Sequence, residues 1–287
     1  MSFRERVIAT ARANDSWLCV GLDPDPSLMP TVSLAEFNRA IIDATLDLVC
    51  AYKPNVAFYQ ALGLPGLEAL AETVRHISGR VPVIADAKCA DVGHTAAAYA
   101  RGYFDAFGFD AVTVNPYLGY DGVEPFLSYA DKGVFLLCRT SNPRAADVQE
   151  LRCLPPGAPG RDTVYLYEVI ASQSREWNQN GNLGLVVGAT SPNELHRVRK
   201  LCPEQLILIP GVGPQGGDLQ GSLRAGVDAK GEGAIINASR QVIYASRGRD
   251  FAAAARASAQ QLRNQINGFL RGGTIASESA SKQRPDL

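Results

Sequence analysis

Short apolar runs recur along the 287-residue chain, each bounded by turn residues. They fall at 17–23, 49–53, 81–88, 111–115, 134–139, 183–188, 206–211 and 234–237. These runs are β-branched or leucine-rich and nearly continuous in apolar character, as parallel strands are when both faces are buried. The gaps carry helical periodicity. Ser33-Leu-Ala-Glu36 predicts a capping box opening a helix with Leu34, Phe37, Ile41 and Leu48 on one side. Ser191-Pro-Asn-Glu194 predicts a second box, with Pro192 at the first helical position. Leu67, Leu70, Ala71, Val74 and Ile77 form a third stripe, ending at Gly79. Eight strands alternating with helices predict an α/β fold, a single-domain (β/α)8 TIM barrel over residues 1–271. A doubly wound open sheet is the alternative; strand count and the placement of polar residues favour the barrel. Two stretches break the rhythm. Residues 141–162 are rich in Pro and Gly and predict a long surface loop, and residues 272–287 are polar and serine-rich, as in a disordered tail.

Composition adds constraints. Hydrophobic residues make up 46% of the chain, enough for a sizeable core, and the formal net charge is −1. No global charge attracts nucleic acid or an anionic membrane, so any bound phosphate needs a local site. Cys19, Cys50, Cys89, Cys138, Cys153 and Cys202 form no C-x-x-C pair and no Cys/His cluster with metal spacing. That usage fits a reducing compartment. The opening residues predict an amphipathic helix rather than the apolar core of a signal peptide, and no apolar run is long enough to span a bilayer. A cytoplasmic location is the expectation.

Chemistry-bearing residues collect at the carboxyl ends of the predicted strands, where barrels of this type carry their sites. The first strand ends in Asp23, the second in Lys53, the third in Asp86-Ala-Lys88 with Asp91 beyond, and the fourth in Asn115. Thr140-Ser141-Asn142 follows the fifth strand, and Asn237-Ala-Ser-Arg240 closes the eighth. Asp86 and Lys88 are two apart, so simple alternation places them on one strand face. A strand-end salt bridge, with Asp91 as a helix cap, is the ordinary explanation of one such pair. Two lysines and several carboxylates gathered at strand ends argue for more than that, and alternating charges would keep both lysines protonated. After the seventh strand comes Pro210-Gly-Val-Gly-Pro-Gln-Gly-Gly-Asp218. Its glycines would let main-chain N–H groups approach an anion, and Arg240 could pair with it bidentately. No histidine falls in a catalytic pattern, and no nucleophile elbow is present.

Asp86-x-Lys88-x-x-Asp91, followed by Val92 and Thr95, resembles the signature of the orotidine 5′-monophosphate decarboxylase family. Lys53 in Tyr-Lys-Pro-Asn, Asp23 in Gly-Leu-Asp, the glycine-rich 210–218 loop and Asn237-Ala-Ser-Arg240 extend the resemblance over almost the whole barrel. Thr113-Val-Asn-Pro-Tyr-Leu-Gly119 and Val186-Val-Gly-Ala-Thr190 resemble the longer bacterial subgroup. The departures are small: Val92 stands where isoleucine is common, and residues 141–162 exceed the loop of compact members.

The resemblance implies a carboxy-lyase that turns orotidylate into uridylate and CO₂ in pyrimidine biosynthesis, with no metal and no cofactor. It implies that Lys88 supplies fixed charge and a proton at C6, with Asp86 beside the departing carboxylate. Lys53 and Asp91 would complete a Lys-Asp-Lys-Asp array that holds the ribose hydroxyls. Asp23 would also bind ribose, Ser141 the pyrimidine, and Gln215 and Arg240 the phosphate; Asn115 would add a substrate contact. It further implies a homodimer in which Asp91 and Thr95 reach into the partner's site. Three other readings share parts of the pattern: a Mg²⁺-dependent sugar-phosphate barrel of the same superfamily, a Schiff-base aldolase using Lys88 or Lys53, and a phosphate-binding barrel without catalysis. The last would be expected to lack a lysine or aspartate, and none is missing.

Overall fold

A computed structural model describes residues 1–154, 162–212 and 218–281. All eight predicted strands form. They are β1 (Leu18–Leu22), β2 (Ala51–Pro54), β3 (Ile84–Cys89), β4 (Ala111–Val114), β5 (Gly133–Arg139), β8 (Leu183–Val187), β9 (Ile207–Pro210) and β10 (Ala234–Ala238). Two short strands, β6 (Arg152–Cys153) and β7 (Val164–Tyr165), pair antiparallel outside the barrel. The predicted long loop therefore carries a small hairpin, preceded by the one-turn helix α7 (Ala146–Gln149). Residues 155–161 lie outside the described residues.

The eight main strands are parallel and run in the order β2-β1-β10-β9-β8-β5-β4-β3. The ring closes between β2 and β3 through the parallel bridges Tyr52↔Val83 and Asn55↔Asp86. An open doubly wound sheet has no such closure, so the structure decides for the barrel. Every residue of β1, β2, β4, β8 and β10 is buried, which is why these strands read as unbroken apolar runs.

Helices cover the outside. The predicted box at Ser33 forms: its hydroxyl accepts from the Glu36 N–H at the start of α2 (Leu34–Thr45), and Glu36 accepts in return from the Ser33 N–H. The third predicted stripe becomes α4 (Gly63–Ile77). The predicted box at Ser191 does not form, although Pro192 does open α9 (Pro192–Leu201). Ser191 has φ −130° and ψ 62°, away from the extended conformation that aims a capping side chain at the helix. The last helix, α12 (Phe251–Ser281), continues past Arg271 into the serine-rich segment, which contains no proline before Pro285.

The amino-terminal helix α1 (Phe3–Ala13) lies across the end of the barrel where the strands begin. Phe3, Val7 and Ala11 are buried, and the Phe3 ring meets Phe135 edge-on at 5.9 Å. Phe3 packs directly on Gly133 at the start of β5, where a Cβ would come within 2.3 Å of the ring. At this same end, the Arg199 guanidinium is buried among main-chain carbonyls. It donates to Gly226 (2.6 Å), Gln205 (2.7 Å), Cys202 (3.0 Å), Pro203 and Gly233. Burial pulls its pKa down to about 10, which still leaves it charged at neutral pH. These bonds tie the segments leading into β9 and β10. Arg199→Ala would leave several buried carbonyls unpaired, so a loss of roughly 3 kcal/mol or more is expected. A urea titration checks this; a midpoint within error of wild type overturns it.

Candidate active site

The carboxyl ends of the strands enclose a cavity of about 500 Å³, within the usual range for small-molecule sites. Asp23 follows β1, Lys53 lies on β2, Asp86 on β3, and Ser141 follows β5. Pro210 and Gly211 contribute from the end of β9; Asn237, Ser239, Arg240 and Gln241 contribute from the end of β10 and the turn beyond.

Its charged centre is Asp86. Lys53, 3% exposed, donates from Nζ to Asp86 Oδ2 at 2.6 Å. The Lys88 ammonium contacts Asp86 Oδ1, and the Thr113 hydroxyl donates to the same oxygen at 3.2 Å. Burial alone would push the Asp86 carboxyl upward. The charges of Lys53 and Lys88, with their hydrogen bonds, outweigh it and hold Asp86 far below the ordinary carboxylate range. Burial alone would likewise lower Lys53, but Asp86 and Asp23 reverse this and hold its ammonium above the ordinary lysine range. Lys53 and Asp86 are thus both ionised throughout the neutral range.

Simple alternation predicts that Asp86 and Lys88 share a face. They do meet, but by a different route. Across β3 and β4, Ala85 pairs with Val112 and Cys89 with Val114, so residues 86–88 bulge opposite Thr113 alone. Lys88 adopts φ +49°, a left-handed conformation that lysine rarely takes. Bulges re-aim side chains beside active sites, and this one turns the Lys88 side chain back onto Asp86.

Ser141 is placed by its neighbours. Arg139 binds Glu150 Oε1 at 2.7 Å and the Thr140 carbonyl at 2.7 Å, while the Thr140 N–H donates to Gln149 Oε1 at 2.8 Å. Gly188, just after β8, lies against the Ser141 backbone; a Cβ there would come within 2.7 Å of Ser141 Cα. Tyr244 fixes the chain around Asp23 by donating to the Asp23 carbonyl at 3.1 Å and accepting from the Asp25 N–H at 2.5 Å.

Of the other predicted residues, Arg240 is exposed at the cavity wall and Gln215 lies outside the described residues. Asn115 is not brought to the cavity. Its side chain caps the turn Pro116–Leu118, accepting from the Tyr117 N–H at 3.0 Å. Asp91 and Thr95 are not part of this cavity's lining either. Asp91 accepts from the Val92 N–H at 2.8 Å, one residue before α5 (Gly93–Arg101). Thr95 lines a separate, largely apolar cavity of about 350 Å³ with Val56, Leu70, Tyr99, Tyr103 and Phe107. Exposed apolar side chains gather on the neighbouring connections: Phe58, Leu64, Val92, Tyr99, Tyr117 and Leu118.

Sequence reasoning named Asn237 only as part of the Asn237-Ala-Ser-Arg240 stretch, without a role of its own, and missed Gln241 and Thr113 as site residues. Asp23 Oδ1, Asn237 Oδ1 and Gln241 Oε1 are buried acceptors without a hydrogen-bond partner among the described residues, and all three belong to residues of the cavity wall. A polar residue closing the otherwise apolar run of β10 was the available signal for Asn237. Among the described residues, no three His, Cys, Asp or Glu side chains converge as a metal-binding group. None of the described helices is long and apolar enough to cross a membrane.

Fold and site together define a (β/α)8-barrel enzyme with a lysine–aspartate centre at the carboxyl ends of its strands. Residues 16–257 match the orotidine 5′-phosphate decarboxylase / HUMPS family. The chain is 51% identical over 277 residues to the orotidine 5′-phosphate decarboxylase of Roseiflexus sp. (strain RS-1), covering 94% of this chain and 99% of that protein. It is 48% identical over 280 residues to that of Cupriavidus metallidurans, covering 95% and 100%. Among solved structures, the OMP decarboxylase of Leishmania donovani superposes with a TM-score of 0.82 at 40% identity, covering 94% of this chain and 99% of that one. The chain belongs to the orotidine 5′-phosphate decarboxylase / HUMPS family.

The coupling of Lys53 to Asp86 has a pH signature. Asp86 is depressed in the folded state, so it contributes stability above its unfolded pKa of about 4, lost as pH falls further. Removing Lys53 leaves burial less opposed and raises the Asp86 carboxyl. Lys53→Met should therefore cost roughly 3–5 kcal/mol near neutrality, and the gap from wild type should narrow as pH falls below about 4. Denaturant titrations of both proteins across pH check this. A gap that is constant with pH overturns the coupling.

Proposed function

We propose that this barrel, an orotidine 5′-phosphate decarboxylase converting orotidylate to uridylate and CO₂ in pyrimidine biosynthesis, works by direct loss of CO₂ from C6. The observation that carries the mechanism is the Lys53–Asp86–Lys88 array: Lys53 and Asp86 line the cavity, and the half-exposed Lys88 ammonium contacts Asp86. Breaking the C6–carboxylate bond leaves its electron pair in the ring plane, where the π-system cannot absorb it. A fixed cation beside C6 stabilises that pair, and a proton delivered there ends the reaction. Lys88 serves both needs: its ammonium faces the developing charge, then gives a proton to C6 and is reprotonated from solvent. Asp86 stands beside the substrate carboxylate, and their repulsion falls as CO₂ departs. Because the pair stays at C6 until protonation, the mechanism calls for no metal and no organic electron sink.

The remaining contacts follow from chemistry. The orphaned oxygens of Asp23, Asn237 and Gln241 suit donors such as ribose hydroxyls and the pyrimidine N–H. Ser141 contacts the base, and Arg240 with Gln215 holds the phosphate. Phosphate binding far from C6 then helps to organise the reacting centre. Six free thiols among the described residues fit work in the reducing cytoplasm.

The test of mechanism is turnover of orotidylate by the purified protein with and without EDTA, alongside Lys88→Ala. Turnover unaffected by EDTA is expected, with kcat lower by at least about a thousandfold in the variant. Activity abolished by EDTA favours a metal-using barrel. Most of kcat surviving in Lys88→Ala refutes its role.

The working unit is a homodimer with shared sites. Asp91 and Thr95 do not line their own chain's cavity, and the apolar side chains around them suit a second copy of the chain. Asp91 then completes the partner's array. Lys88→Ala and Asp91→Ala dimers should each be nearly inactive. On subunit exchange, about half the dimers become mixed, each with one intact site, which restores roughly a quarter of wild-type activity in a two-fold dimer. Exchange without recovery means that Asp91 serves its own chain.

A further inference from the structure

We propose that Thr113 on β4 is a positioning residue for the reaction, holding Lys88 and Asp86 in register through a single hydroxyl. This rests on the reading of Lys88 as the proton donor to C6. The bulge leaves residues 86–88 opposite Thr113 alone, so the main chain of β4 cannot serve this part of β3 by a regular ladder. Instead, Thr113 Oγ1 accepts from the Ala87 N–H at 3.0 Å and the Lys88 N–H at 2.9 Å. The same hydroxyl donates to Asp86 Oδ1 at 3.2 Å.

A hydroxyl has one donor and two acceptor sites, and here all three are used. Their directions are fixed by their partners. Main-chain amides can only donate, and an ionised carboxylate can only accept. Thr113 is 1% exposed, so water has no ready route to replace it. One oxygen atom therefore joins the backbone of the proton donor to the carboxylate beside it. Asp86 is pinned from both sides: Lys53 holds Oδ2, while Thr113 and Lys88 share Oδ1.

The backbone of Lys88 needs this support. A lysine at φ +49° persists only where the surroundings over-determine it. The bulge is closed on its far side by the Asn115 N–H donating to the Cys89 carbonyl at 2.9 Å, and on its near side by Thr113. The other residues of β4 are Ala111, Val112 and Val114. If β4 needed only volume at position 113, valine would serve as well as threonine. The hydroxyl is what the bulge uses.

The test compares kcat and KM for orotidylate in wild type, Thr113→Val, Thr113→Ser and Lys88→Ala. Thr113→Val keeps shape and burial but removes the hydroxyl. Its kcat should fall by between about ten- and a hundredfold, as for a small misplacement of a reacting group. KM should change much less, because the ribose and phosphate contacts remain. Thr113→Ser restores the hydroxyl and should return kcat to within about threefold of wild type. A Thr113→Val enzyme with near-wild-type kcat, whatever its melting temperature, overturns the proposal. So does a change confined to KM. If the valine chain fails to fold, the serine variant decides alone: retained kcat supports the proposal, and lost kcat overturns it. Full activity in Lys88→Ala is a separate failure, of the proton-donor reading itself, and removes the role assigned to Thr113.

Discussion

Charges taken out of water cost several kcal/mol per ion unless partners and hydrogen bonds replace the solvent. Lys53 and Asp86 meet that condition at the top of the barrel, and much of the site depends on their doing so. Lys53 is buried by the barrel wall and can stay charged only because Asp86 and Asp23 face it. Asp86 stays ionised only because two ammonium groups hold it so. Remove one partner and the remaining charge is left where water is scarce. The two strands that carry the pair, β2 and β3, are also where the ring closes through only isolated bridges. The ion pair spans that seam, so the electrostatics of the site and the closure of the barrel meet in one contact.

The two ends of the barrel divide the work. Where the strands begin, α1 packs Phe3 against Phe135 and Gly133, and Arg199 gathers carbonyls from the connections into β9 and β10. These contacts are dense and mutually satisfied. Where the strands end, acceptors on Asp23, Asn237 and Gln241 stand unpartnered among the described residues, and a lysine holds a left-handed backbone. Unsatisfied groups and strain belong where a ligand will meet them. The supporting residues lie one layer out: Tyr244 behind Asp23, Gln149 and Glu150 behind the Ser141 segment, and Thr113 behind Asp86 and Lys88.

The architecture and most of the charged residues were legible in the sequence. The barrel strands are buried along most or all of their length, so their apolar runs stand out against the amphipathic helices between. Polar residues ending such runs must sit at one rim of the barrel, which is why Asp23, Lys53, Asp86 and Lys88 could be named together. Asn115 fell to the same logic with a different outcome, because its side chain caps the following turn. Ser191 likewise fits the capping pattern, yet its backbone angles aim the side chain elsewhere. Local sequence patterns state what a residue can do, and the surrounding chain selects among the possibilities.

What the sequence determined by itself was the periodicity: eight largely buried strands, the helices that cover them, and polar or charged groups placed at the same end of several of them. That follows because burial and alternation act over a few residues and leave a direct trace in the order of residue types. Tertiary structure alone decided the geometry of the chemistry. Spacing puts Asp86 and Lys88 two residues apart, but their meeting comes from a bulge that exists because β3 and β4 pair out of step across Thr113, a residue 25 positions from Lys88. The same is true of Asp91 and Thr95, whose spacing from Lys88 cannot say which way the chain turns at the start of α5. Contacts between distant segments depend on how whole strands and helices are packed, and no local pattern encodes that packing residue by residue.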